Sequence, residues 1–126
     1  MRDIVITGAG IVSAIGNDTS SVLASLKNET SGIGEMLYLS SVHRELPVGE
    51  VKLSDDQLKD ILCIPHEQII SRTTLLGAVA LKQAVRDAAI TTDGKRIVII
   101  NGTTVGGMDV TENLSPLTSH LSPLTS

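Results

Sequence analysis

Two short apolar runs, each followed at once by a glycine-rich turn, constrain the fold of this chain most. The first covers residues 3–7 and runs into Gly8 and Gly10; the second covers residues 96–100 and runs into residues 102–107. Their apolar residues are consecutive rather than alternating, which is typical of strands buried on both faces of a parallel sheet. The sequence therefore predicts two such strands, near the beginning of the chain and near residue 100.

Helical patterns fill the stretch between the two runs. Asn17, Asp18 and Thr19 offer N-cap side chains for a helix that ends near residues 27–30, and residues 31–34 are expected to terminate it. A short helix is predicted over residues 55–62.

A long helix is predicted over residues 69–89, and residues 48–51 form a possible short strand. The long helix shows an apolar stripe, and its small residues let another element approach closely. The stripe consists of Thr74, Ala78, Leu81, Val85 and Ala88, and the small residues are Gly77, Ala78, Ala80, Ala84 and Ala88. The order strand, helix, helix, strand predicts an α/β fold with a right-handed crossover.

Composition excludes several classes of partner and location. The chain has 126 residues and a formal net charge of −4, and no cluster of Lys or Arg could neutralise a row of phosphates, so nucleic acid is not an expected partner. The single cysteine, Cys63, cannot form an internal disulfide. The amino terminus carries Asp3 and only a short apolar run, so neither a signal peptide nor a membrane span is predicted. We therefore expect a cytoplasmic protein.

The last residues have a different character from the rest. The hexamer Leu-Ser-Pro-Leu-Thr-Ser occurs at residues 114–119 and again at 121–126, with His120 between the copies. Such a repeat has no helix or strand period. We divide the chain into a domain at 1–112 and a tail at 113–126. A disordered tail or a truncation junction is favoured over a segment docked on the body, because polar repeats interrupted by proline bury little surface.

The first glycine turn raises the alternative of a dinucleotide site. Gly8 and Gly10 match the first two glycines of that fingerprint, but the third is missing. The acidic residue expected at the end of a second strand is missing too, since Glu29 lies at a helix end. A structural turn is the favoured interpretation. For residues 102–107, a ligand-binding loop and a simple sharp turn remain equally open.

No catalytic or metal-binding constellation stands out. Cys63 lies among apolar residues, which favours a buried, unreactive thiol over a nucleophile paired with His66. His43, His66 and His120 lack metal-ligand spacing. No cofactor is expected. The acidic residues of the probable helix surfaces indicate solvated faces rather than a catalytic carboxylate pair, and they are Asp55, Asp56, Asp60, Glu67 and Asp87.

Three segments in order resemble the amino-terminal portion of the β-ketoacyl-acyl-carrier-protein synthases, in particular 3-oxoacyl-ACP synthase II-like condensing enzymes of the thiolase superfamily. They are residues 2–17, residues 31–34, and the long helix with the strand and the Gly106-Gly107 loop after it. The resemblance covers nearly all of residues 1–112. It implies an incomplete thiolase-like fold, and acyl carrier protein as a partner.

The resemblance also implies what the chain can and cannot do. In the family, the apolar residue matching Val105 lines the acyl pocket, so Val105 is the one expected substrate-binding residue. The family loads an acyl group onto a cysteine and condenses it with malonyl-ACP, helped by two basic residues and an oxyanion hole. None of those motifs is present, and Cys63 does not occupy the matching position. No catalytic residue is carried over, and we expect the chain alone to be inactive.

Two buried strands need more sheet than this chain supplies. We therefore expect it to expose apolar surface and to associate with itself or with a missing remainder. The alternative to an inactive fragment is a non-catalytic binding or assembly module that pairs with acyl carrier protein or with a synthase.

Overall fold

The computed structural model describes residues 3–39, 41–91, 93–104 and 106–108. Within these ranges the chain forms three helices: α1 (Thr19–Lys27), α2 (Asp55–Leu62) and α3 (Arg72–Asp87). The predicted short helix is confirmed at its expected bounds. The predicted tail at 113–126 and Val105 lie outside the described residues. None of these three helices in the described ranges is long and apolar enough to cross a membrane.

Local capping chemistry sets the ends of α1. The Asp18 carboxylate accepts a hydrogen bond from the backbone N–H of Ser21 at 2.7 Å, and the Ser21 hydroxyl accepts one from the N–H of Asp18, which completes a capping box. Hydrogen bonds to its carboxylate from the backbone N–H and the side chain of Ser21 lower the pKa of Asp18. The last helical residue is Lys27, with Asn28 as the C-cap and Glu29 following at φ 52°, so the predicted end near residues 27–30 is confirmed.

Helices α2 and α3 pack against each other and form the core. Among the described residues, the buried cluster between them consists of Leu58 of α2 with Leu75 and Val79 of α3. Partly buried apolar residues surround them, and these are Val12, Leu53, Leu62, Ile64, Ile70 and Leu76. Lys82 also donates from Nζ to the Ile61 carbonyl oxygen at 2.6 Å, which adds a polar tie between the two helices.

Helix α3 is confirmed, but its buried face differs from the predicted stripe. Ser71 caps the amino terminus and Ala89 adopts φ 49° beyond the last turn, so the helix is shorter than residues 69–89. Leu75 and Val79 face the core, whereas Leu81 of the predicted stripe is 45% exposed. Leucine, valine and alanine occur on more than one side of this helix. Periodicity alone therefore could not decide which side contacts α2.

The two predicted strands are not paired in the described part of the chain. Residues 3–7 and 96–100 form no ladder there, and the only β-bridges are the isolated pairs Ser13 with Gly16 and Gly34 with Val48. Among the described residues, the bridge between Gly34 and Val48 is the only β-structure formed by the possible strand at 48–51. Ile4, Ile6 and Ile100 are 101%, 94% and 93% exposed. The expected exposure of apolar surface is confirmed. A strand buries both faces only against neighbouring elements, so the sheet and its crossover stay predictions.

Candidate functional site

The first glycine turn lies directly on the small-residue side of α3. A Cβ atom on Gly8 would stand 2.4 Å from the carbonyl oxygen of Ala84, and one on Gly10 would stand 2.0 Å from that of Ala80. Both distances are shorter than any real contact of a Cβ atom. The prediction that small residues of α3 admit another element is confirmed, and glycine is required here for close backbone approach.

Polar side chains of α3 fix the same turn. The Asp87 carboxylate accepts from the N–H of Ala9 at 3.0 Å, and Gln83 Oε1 accepts from the N–H of Ile11 at 3.1 Å. Gln83 also donates from Nε2 to the carbonyl oxygen of Asn17 at 2.7 Å. One amide side chain thus holds the loop at two points.

These bonds count against a dinucleotide site. A pyrophosphate would need free N–H groups at the turn, but those of Ala9 and Ile11 already have partners. The partner of Ala9 is the carboxylate of Asp87, whose negative charge would repel a phosphate. The structural interpretation of Gly8 and Gly10 accounts for the geometry.

The second glycine turn borders a cleft of about 630 Å³ beside α3. One wall is the α3 face that bears Thr74, Ala78 and Leu81, which are members of the predicted stripe. Ile99 and Ile100 form part of the opposite wall together with residues 101–103, Gly106 and Gly107. None of the described lining residues carries a charge, so this part of the cleft suits an uncharged, largely apolar group.

Two glycines of this turn have a local structural reason. A Cβ atom on Gly106 would lie 2.8 Å from the Thr103 side chain, and Gly107 adopts φ 86°. Gly102, by contrast, has open space around it. Val105, the expected pocket residue, lies outside the described residues, although residues on either side of it line the cleft. Its role in binding an acyl chain stays a prediction.

Cys63 and His66 are not arranged as a catalytic pair. Cys63 ends α2 in the left-handed conformation at φ 58°, and it is exposed rather than buried as its apolar neighbours suggested. His66 Nε2 lies 2.7 Å from Asp60 Oδ1, and its Nδ1 lies 3.7 Å from Asp56 Oδ1. The hydrogen bond with Asp60 is the main cause that raises the pKa of His66. The histidine therefore has acidic partners on α2.

The other titratable side chains that the structure describes do not converge on a reaction centre. His43 is exposed and pairs with Glu45 at 3.2 Å, and His120 lies outside the described residues. Among the described side chains, no group of three or more His, Cys, Asp or Glu is placed to hold a metal ion.

Sequence analysis did not single out Glu50, which is one of two buried charged residues in the described part of the chain, the other being Lys59. Glu50 is 8% exposed, and its carboxylate accepts hydrogen bonds from the backbone N–H groups of Leu37, Tyr38 and Leu39. Burial would raise the pKa of Glu50, but these three bonds and the nearby charge of Arg72 together lower it. A single glutamate in an irregular stretch gives no sequence signal for this arrangement.

Comparison with known proteins identifies relatives over most of the chain. The chain is 35% identical over 91 residues to 3-oxoacyl-acyl-carrier-protein synthase 1 of Buchnera aphidicola subsp. Acyrthosiphon pisum. The aligned residues make up 71% of this chain and 22% of that protein. The Escherichia coli K12 protein of the same name is 37% identical over 91 residues, with the same coverage of both proteins. The Buchnera aphidicola subsp. Baizongia pistaciae protein is 31% identical over 111 residues, or 84% of this chain and 27% of the relative.

The chain spans about a quarter of the length of these relatives, which fits an amino-terminal portion. The names of these relatives specify synthase 1. The more specific expectation of a synthase II-like enzyme therefore stays a prediction. No protein family profile matches the chain, and no solved structure matches it. The matches to the synthases confirm the family resemblance that the motifs indicated: this chain is a partial-length relative of the β-ketoacyl-acyl-carrier-protein synthases.

Proposed function

We propose that this chain is the amino-terminal part of a condensing enzyme of fatty acid synthesis. The observation that carries the proposal is the 31–37% identity to 3-oxoacyl-acyl-carrier-protein synthases over 71–84% of the chain. In the complete enzyme these residues would form part of a thiolase-like α/β unit, which this chain alone leaves incomplete. The full reaction would join an acyl thioester to malonyl-ACP, with acyl carrier protein delivering both groups, in the cytoplasm.

The chain alone is proposed to be inactive. Acyl transfer requires a nucleophile activated by a base. The one cysteine is exposed at the end of α2, and no hydrogen bond in the described part of the chain joins its thiol to His66 or to another base. The uncharged cleft beside α3 supports a different contribution, namely one wall of an acyl pocket to which Val105 would add an apolar side chain.

Acyl-ACP with a labelled acyl group tests the inactivity directly. After incubation with the 126-residue chain, we expect no covalent label on the protein. The Cys63→Ala variant is the matched control and should behave identically. A label on the unaltered chain that the Cys63→Ala variant lacks would show a working nucleophile and overturn this part of the proposal.

Complementation tests the condensing activity proposed for the complete enzyme. The chain would be co-expressed with the part of the Escherichia coli relative that follows the matched stretch, and condensation with malonyl-ACP measured. We expect activity only when both pieces are present. A stable complex of the two pieces without condensation would contradict the assignment to a condensing enzyme.

A second candidate is a non-catalytic binding or assembly module, which pairs with acyl carrier protein or with a synthase. It is favoured by the exposed apolar residues of the two predicted strands, because surface of this kind marks interaction sites. It predicts saturable binding of acyl carrier protein or of a full-length synthase without acyl transfer. Self-association is expected for the same reason, and sedimentation equilibrium measures it. A chain that stays monomeric at high concentration and unfolds cooperatively would contradict it.

A further inference from the structure

Three consecutive backbone N–H groups converge on one carboxylate in the stretch between α1 and α2. Leu37 donates to Glu50 Oε2 at 2.8 Å, Tyr38 donates to Oε1 at 3.0 Å and to Oε2 at 3.1 Å, and Leu39 donates to Oε1. Successive N–H groups of this kind form a concave anion site, called a nest. Both oxygens of the planar group are engaged, and the middle N–H is shared between them.

The surroundings of this nest match a negative charge. Glu50 is 8% exposed, and a carboxylate with so little access to water is stable only when it is hydrogen-bonded or paired. The guanidinium of Arg72 lies 5.6 Å from the centre of the Tyr38 ring. It donates to the carbonyl oxygens of Val51 and Leu53, one and three residues after Glu50. A positive charge therefore stands close to the occupied nest.

We propose that the N–H groups of Leu37, Tyr38 and Leu39 form a carboxylate-binding site, which Glu50 fills from within the same chain. The site selects a planar group with two oxygens, because two acceptors are shared among three donors. Glu50 thereby fastens residues 37–39 to the stretch that leads into α2. This inference is independent of the condensing activity proposed above, since it rests only on the hydrogen bonds, burial and charged surroundings of Glu50.

Chemical rescue tests the site. The Glu50→Ala variant removes the carboxylate and leaves room for a small one, so its urea unfolding would be measured in sodium acetate and in sodium chloride of equal ionic strength. Acetate that binds only the folded state raises the folding equilibrium constant by a factor of one plus the ratio of acetate concentration to Kd. At ten times Kd we expect a rise of about elevenfold over chloride.

Two controls separate the site from general salt effects. Acetamide has the shape of acetate without its charge, and we expect it not to stabilise the Glu50→Ala variant. The Glu45→Ala variant removes an exposed carboxylate that pairs with His43, and acetate should stabilise it no more than chloride does. Equal effects of acetate and chloride on a folded Glu50→Ala variant would overturn the proposal.

A second measurement applies if the Glu50→Ala variant does not fold. In the unaltered chain, the amide chemical shifts of Leu37, Tyr38 and Leu39 would be followed by NMR as the pH is lowered. If the three N–H groups bind the Glu50 carboxylate, all three titrate together with it. Shifts that do not follow the Glu50 carboxyl would overturn the proposal.

Discussion

Gly10 lies against the backbone of Ala80, at a position where a Cβ atom would stand 2.0 Å from the Ala80 carbonyl oxygen. This carbonyl belongs to α3 and cannot rotate away as a flexible side chain can. The approach brings the glycine turn within reach of Gln83 and Asp87, which bond to the N–H groups of Ile11 and Ala9. The close packing and the hydrogen bonds therefore depend on each other.

The Gly10→Ala variant should be less stable than the unaltered chain. The added methyl group must push the turn away from α3, and overpacking of this kind costs about 1–3 kcal/mol. The free energy of unfolding in urea measures the loss. Gly77→Ala is the matched control, because a Cβ atom there meets nothing within 4 Å. In the interior of α3 that change should stabilise the chain by about 0.5–1 kcal/mol. Equal stability of Gly10→Ala and the unaltered chain would contradict the packing argument.

Arg72→Lys should also destabilise the chain. The Arg72 guanidinium donates to Asp55 Oδ1 at 2.6 Å through one nitrogen, and to the carbonyl oxygens of Val51 and Leu53 through the other. A lysine ammonium is a compact charge that cannot span these acceptors as a planar fork does. We expect a loss of about 1–3 kcal/mol in urea unfolding. The exposed Arg86 of the same helix provides the control, since Arg86→Lys should change stability by less than about 0.5 kcal/mol. Similar losses for both variants would contradict the specific role of Arg72.

The helices were predictable because their signals are local. Asp18 and Ser54 are polar residues placed directly before helical patterns, and both act as N-caps in the structure. The side of α3 that is buried was not predictable in the same way. Leu75 and Leu81 are both apolar, and the position of α2 decides that Leu75 is buried while Leu81 lines the cleft.

Long-range features escaped sequence analysis for physical reasons. The bonds from residues 37–39 to Glu50 join parts of an irregular stretch whose pairing no periodicity encodes. The glycines at positions 8 and 10 gave a clear signal of a tight turn, but not the identity of the surface they approach. The two apolar runs showed strand character, although pairing them requires neighbours that the described residues do not provide.

Lowering the pH should remove the stabilisation that Glu50 provides. Its pKa in the folded chain lies below the ordinary value of 4.5, so its contribution is complete above that value and is lost as the pH falls through the folded pKa. Glu50→Gln has no charge to titrate and leaves the N–H groups of residues 37–39 poorly satisfied. At neutral pH it should be less stable by about 1–3 kcal/mol.

The measurement is urea unfolding of both proteins from neutral pH into the acid range. The stability difference between the unaltered chain and Glu50→Gln should shrink below about pH 4.5. Asp18 also has a lowered pKa, but it is present in both proteins and its effect cancels in the difference. A difference that stays constant with pH would contradict the assigned role of the Glu50 charge.

His66 should titrate above its ordinary pKa of 6.5, because the hydrogen bond from its ring to Asp60 favours the protonated form. Its stabilising effect is therefore complete below pH 6.5 and is lost as the pH rises through the folded pKa. Proton NMR of the imidazole measures this pKa directly. Asp60→Asn should bring it back towards 6.5. Asp56→Asn should lower it less, since Asp56 lies 3.7 Å away and acts only through its charge. An unchanged pKa of His66 in Asp60→Asn would contradict the assigned hydrogen bond between the ring and Asp60.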